Sequence, residues 1–273
     1  MLAFRRRVAA CATVFVLGLV VPAWSAHGAG STPGDAEAIV AYAARASEIA
    51  TSISGRRVAV ACADRDSWRA RASEHGFDPA LTWALTPLRW SSATAGPEAG
   101  SLTILAPRAC RLGASFLGRP TKRGARLCRH GSEVRWVSST ARARADGKPR
   151  KVRTVVPVWG ECDAWGARLL AVHVLTHESM HLAGVVDEAT AECLAVQLDA
   201  LVAMRLGAGA GFARAIAREY WAYYYPTQER RYRSPECRDG SSLDLFPGHR
   251  GWPAPSVYPS DLARAIARVA SRG

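Results

Sequence analysis

His177-Glu178-Ser179-Met180-His181, with Glu188 and Glu192 just beyond it, is the run that decides how the rest of this chain reads. An α-helix advances about 1.5 Å and about 100° per residue, so two histidines four apart stand one above the other on one face. They are close enough to share one metal ion. Glu178 lies one residue round, beside that ion, where a carboxylate can take a proton from coordinated water. The preceding Ala167–Thr176 is rich in Leu, Ala and Val and free of Pro and Gly, which predicts helix.

Beyond His181, Gly184 suits a helix C-cap and Asp187 an N-cap. A second helix is expected over about Glu188–Leu206. So short a connection predicts an antiparallel pair, in which residues equidistant from the turn face each other. His181 then faces Glu188, and His177 faces Glu192. Glu188, Glu192, Ala195 and Asp199 form one narrow stripe, with Leu194, Leu198, Leu201 and Val202 on the neighbouring apolar face. His173 extends the histidine ladder, but it lies eight residues from His181, some 80° round the helix. All three rings cannot converge on one ion, and His173 reads as a packing residue or one that supports a ligand from behind.

These residues resemble the zincin superfamily of zinc metallopeptidases, most closely its gluzincin branch, over roughly residues 165–200. The resemblance implies His177, His181 and Glu188 as ligands of Zn2+, Glu178 as the catalytic general base and Glu192 as the acid that orients His177. A rival register, H-E-x-x-H-x-x-G-x-x-D from His177 to Asp187, resembles a metzincin variant and would make Asp187 the third ligand. Metzincins also carry a methionine turn, whereas the only later methionine, Met204, sits inside a helical pattern.

The first residues, Arg5-Arg6-Arg7, an apolar run from Val8 to Val21 and then Pro22-Ala23-Trp24-Ser25-Ala26, read as a secretory signal peptide cleaved between Ser25 and Gly30. We take residues 1–28 as that segment and 29–273 as one metallohydrolase domain, since about 245 residues suffice for one core. No later stretch is expected to span a membrane. Loss of Cys11 leaves Cys62, Cys110, Cys128, Cys162, Cys193 and Cys237, an even set that predicts three disulfides of open connectivity in an exported chain. The net charge of +13 rests on arginine, with lysine only at Lys122, Lys148 and Lys151. It fits contact with anionic cell-envelope polymers, and also a merely solvated basic surface. No nucleic-acid module accompanies it.

Along the chain, helix is expected over 34–54 and near 65–75. Strands are expected over Arg57–Cys62, Leu81–Leu85, Ser101–Ala106, Glu133–Val137 and Val152–Val158. Ser91–Gly100 and Ala141–Lys151 read as loops, Cys110–His130 as irregular, and Gly207–Gly211 as a break before a helix over about Phe212–Tyr225. The predicted class is α+β: a small, mostly antiparallel sheet packed on a helical layer that holds the H-E-x-x-H helix and its antiparallel partner, stabilised by disulfides. Tyr223, Tyr224, Tyr225, Tyr232 and His249 lie where an oxyanion-stabilising group could come from, though packing of the C-terminal tail explains such residues equally well.

The expected function is an exported zinc-dependent metallohydrolase acting on a peptide or protein substrate, with zinc-activated water and Glu178 as base. The alternatives are a secreted basic binding or structural protein of the cell envelope with a non-catalytic metal site, and an envelope adhesion protein in which the motif is accidental.

Overall fold

Two neighbouring helices, α4 (Ala164–Leu182) and α5 (Glu188–Arg205), form the centre of the molecule. The structure, a computed structural model, describes residues 33–77, 83–85, 101–117, 127–139, 150–161 and 164–271. Residues 1–28, read from the sequence as a leader, and residues 91–100 and 141–149, read as loops, lie outside them. From Ala191 to Ala200 every residue of α5 is buried, so that helix is covered all round, as its near-continuous apolar sequence dictates.

The turn between the two helices is built by Gly184. Its φ of +95° closes α4, with Gly184 N–H donating to His181 O and Val185 N–H to Met180 O. That is the paired bonding of a Schellman motif, and it requires a left-handed residue. Asp187 caps α5, accepting from Thr190 N–H at 2.8 Å.

Around this pair the fold is α+β. Helix α1 (Pro33–Ser54) buries Tyr42, Ala46, Ile49, Ala50 and Ile53 along one stripe against α4, β1 and α3. Strand β1 (Val58–Cys62) pairs in parallel with β3 (Ser101–Leu105), and β2 (Ala84–Leu85) pairs antiparallel with β3. The free edge of β1 is occupied by α1, whose Thr51 and Ser47 hydroxyls accept from Val58 N–H and Val60 N–H at 3.0 and 2.9 Å. Helix α2 (Arg65–Glu74) starts at Asp64, which accepts from Asp66 and Ser67 N–H. A second sheet is an antiparallel pair, β4 (Leu127–Ser139) and β5 (Arg150–Glu161), of which the backbone is described, with a register shift between Arg129 and Gly131.

Two of the three strand pairings among the described residues are thus antiparallel. The β1–β3 pairing is parallel, which alternation along a strand does not reveal. Residues 107–114, part of which was expected to be irregular, form helix α3 (Pro107–Ala114), with Pro107 in its first turn and Cys110 bonded to Cys62. So short a helix gains its stability from burial and a cross-link rather than from its own propensity.

Helix α6 (Ala210–Glu219) continues into one π turn, Tyr220–Tyr224, in which Tyr225 N–H donates to Tyr220 O. The segment after it returns to α5. Gln197, fully buried, donates to Leu243 O at 2.9 Å and accepts from Leu245 N–H at 2.8 Å, and Cys193 is bonded to Cys237. The last described helix is α7 (Leu262–Ala270), whose Leu262, Ala265, Ile266 and Val269 face inward, an amphipathic helix that is not among the elements expected from the sequence. Residues from α1 to α7 share one continuous buried cluster. Two disulfides are present among the described residues; Cys162 lies outside them and nothing is described of the Cys128 side chain. No helix among the described residues is long and apolar enough to cross a membrane.

Candidate metal centre

His177 and His181 project from one face of α4 toward the first turn of α5, as a spacing of four requires. Their Nε2 atoms are 3.0 Å apart. Glu188, the first residue of α5, places Oε2 at 3.2 Å from His177 Nε2 and 3.4 Å from His181 Nε2. These three atoms form a nearly equilateral triangle. Donors about 2.0–2.1 Å from a tetrahedrally coordinated ion stand about 3.3 Å from one another, so the triangle has the size of one face of such a site.

The second nitrogen of each ring shows why the three atoms demand a cation. His181 Nδ1 lies 2.8 Å from Val185 O, which can only accept, so that nitrogen carries the hydrogen. His177 Nδ1 likewise faces Glu192 Oε2 at 2.9 Å. In the neutral rings both Nε2 lone pairs therefore point toward each other and toward a carboxylate oxygen. Three acceptors cannot remain that close without a positive charge among them, and the donor set fits a metal ion held by His177, His181 and Glu188.

In the metal-free protein protons take that role. Burial opposes charge on His177, but the hydrogen bonds that its ring donates to Glu188 and Glu192 more than reverse it and raise the ring to about 10. His181 is also raised, its burial outweighed chiefly by Glu188. The two histidines in turn hold the Glu188 carboxyl down at about 2.

A second layer lies behind the first. Glu192 is buried and its Oε2 also meets His173 Nε2 at 3.0 Å, while His173 Nδ1 meets Asp199 Oδ2 at 2.9 Å. Tyr220 donates to Glu192 Oε1 at 2.5 Å and stacks on His173 with ring centroids 3.6 Å apart. Gln228 donates to the Tyr220 hydroxyl at 2.8 Å. Burial would raise the Glu192 carboxyl, but His173 and His177 pull it well below its ordinary range. His173, Glu192 and the inner nitrogen of His177 make a second group that could hold a metal ion. Both groups draw on His177, so the layer behind serves equally well as a support for the ring.

Glu178 is half-buried, beside His177 on α4, and makes no hydrogen bond to any described residue. Asp187, the ligand of the rival register, is exposed and engaged with Thr190 N–H and Thr190 Oγ1 in capping α5. Of the C-terminal candidates, Tyr232 comes nearest to the histidines, its ring centroid 6.1 Å from that of His177. The Tyr225 hydroxyl is bonded to the Ser234 backbone, Tyr224 packs on Tyr220, and Tyr223 and His249 are exposed. Asp199 lies on the acidic stripe readable in the sequence. Tyr220 and Gln228 carry no periodic or spacing signal, because the π turn and the loop after it aim them. No protein-family model matches the chain, and no curated protein or solved structure matches it either.

Proposed function

We propose that the chain is a zinc-dependent hydrolase of peptide bonds that works outside the cytoplasm. The observation that carries this reading is the 3.0–3.4 Å triangle of His177 Nε2, His181 Nε2 and Glu188 Oε2, with Glu178 adjoining it and uncommitted. Nitrogen and carboxylate donors in a set of three suit zinc and leave room for a further ligand. Zinc in that position would supply Lewis acidity toward water and the carbonyl under attack. Glu178 would take the proton of the attacking water and deliver it to the departing amine, restoring its own carboxylate. Glu192 would hold His177 in one tautomer and orientation, with His173, Asp199 and Tyr220 fixing Glu192 in turn. Two disulfides among the described residues, and the leader-like first residues, support an extracytoplasmic site of action.

A second reading has its own support. An ion seated between His173 Nε2, His177 Nδ1 and Glu192 Oε2 would be enclosed by buried side chains, a structural metal in a binding protein of the cell envelope. Metal content of the oxidised protein separates the two. Loss of zinc in His181→Ala and Glu188→Ala, with zinc retained in His173→Gln, supports the hydrolase site; the reverse pattern supports the structural one. Peptide turnover by the zinc-loaded protein, abolished in Glu178→Gln without loss of zinc, then tests the reaction itself. A zinc-loaded wild type that cleaves no bond in a mixed peptide library would sink the hydrolase proposal.

A further inference from the structure

The π turn that sends Tyr220 inward to Glu192 also sends Trp221 outward. There Trp221 forms one wall of a pocket of about 560 Å³, whose other lining includes Tyr225, Pro226, Arg230, Arg233 and Ser234. Its aromatic wall is rigidly held. Trp221 stacks on Tyr225 with ring centroids 4.8 Å apart, and Trp252 meets Trp221 edge-on at 5.7 Å. Arg233 is fixed at the rim by donating from Nη1 to Pro226 O at 3.1 Å.

The charge of the pocket is one-sided. Among the described residues, none that lines it is acidic. Arg231, next in the chain, is already engaged with Glu229 and lies over the Tyr232 ring. Arg230 has no ion-pair partner among the described residues and is exposed. Two guanidinium groups beside an apolar aromatic wall suit a planar carboxylate on a short aliphatic stem, since Arg binds carboxylates through two parallel N–H bonds.

One short turn links the lining of the pocket to the metal centre. Arg230 and Tyr232 belong to one 3₁₀ turn, Arg230–Tyr232. At a rise of about 2.0 Å per residue that turn is a few ångströms long, and its far end places Tyr232 beside His177. An extended peptide advances about 3.3 Å per residue, so a chain crossing the metal centre reaches the pocket within a few residues.

We infer that the Trp221–Tyr225–Arg230–Arg233 pocket is a specificity subsite for a carboxylate of the peptide substrate, an acidic side chain or the free C-terminus. The inference rests on the hydrolase reading for its word "substrate", but its test does not need turnover. Glu178→Gln protein, which keeps every proposed ligand, is titrated into fluorescein-labelled octapeptides blocked at both ends. One carries a single Glu, a second has Gln in its place, and a third has Gln and a free C-terminal carboxylate. Fluorescence anisotropy should report at least one carboxylate peptide binding on the order of tenfold tighter than the blocked Gln peptide. The preference should vanish in Arg230→Ala/Arg233→Ala and invert in the single variant Arg230→Glu, an exposed position where folding is not at stake. Which of the two carboxylate peptides gains tells the side chain from the chain end. Equal binding of all three peptides, no binding at millimolar concentration, or a preference that survives Arg230→Glu would overturn the inference. A preference that is intact in a wild type without turnover would sink the hydrolase reading alone and leave a carboxylate-binding pocket.

Discussion

Oε2 of Glu192 lies 2.9 Å from Nδ1 of His177. The same oxygen meets His173, and the other carboxylate oxygen takes the Tyr220 hydroxyl. One buried carboxylate therefore sets the tautomer of a proposed ligand while it organises the layer behind it. Glu192→Gln preserves the shape but turns an NH2 group toward donors on one side. We expect zinc affinity to fall about 10- to 100-fold, measured by competition with a chromophoric chelator. Glu192→Ala leaves His173 buried against Asp199 with its other nitrogen unpaired, and urea unfolding should give a loss of about 3–5 kcal/mol.

The metal-free protein should lose stability as pH rises above neutrality, because its buried histidines are held charged. His173, against its burial, is raised from 6.5 to about 9 by Glu192 and Asp199, and His177 is raised to about 10. A folded-state value above the unfolded one contributes stability that is complete below the unfolded value and is lost as pH rises through the folded one. In EDTA, the urea midpoint should hold up to about pH 6.5 and then decline from there to about pH 10. His173→Gln should flatten the lower part of that decline. A midpoint that rises across this range would contradict the charged state of the buried network.

Much of this centre was legible because its determinants are local. Residues His177, His181, Glu188 and Glu192 lie within two consecutive helices, and Gly184 and Asp187 mark the turn between them. Caps and periodicity then place the facing pairs, although Glu188 lies between both histidines rather than opposite His181 alone. What could not be read depends on distant parts of the chain. Tyr220 reaches Glu192 because α6 ends in a π turn, and Gln228 because the loop after it folds back. The parallel pairing of β1 with β3 is set by where the chain crosses between them, and the short helix α3 is set by what buries it. None of these leaves a mark at the residues concerned.

Gly113 offers a test of packing that is independent of the metal. A Cβ added there would run into the ring of Tyr42, which is fully buried on α1. Neither partner has room to withdraw, because the ring is enclosed by the core that α1 and α3 share. Gly113→Ala should destabilise by about 1–3 kcal/mol, the usual cost of overpacking, even though alanine has the higher helix propensity. Thermal unfolding of the oxidised protein measures it, and Gly113→Ala/Tyr42→Leu should recover part of the loss. A stabilised Gly113→Ala would mean that propensity outweighs the clash.

The Cys193–Cys237 disulfide ties the C-terminal segment to α5 across a sequence separation of 44. Closing a loop of that length is worth about 4 kcal/mol in the chain-entropy model. The three proposed ligands stand on α4 and α5 and are supported by Glu192, whereas Tyr232 and the arginines of the outer pocket belong to the tethered segment. Cys193→Ala/Cys237→Ala should therefore lower stability by about that amount while keeping about one zinc per chain. Gln197, which bonds Leu243 and Leu245 from the same helix, holds part of the segment in place without the cross-link. Adding Gln197→Ala should release it, seen as faster amide hydrogen exchange over residues 228–246 with zinc still bound. Loss of zinc in the cysteine double variant, with α4 and α5 still protected from exchange, would show that the segment takes part in holding the metal.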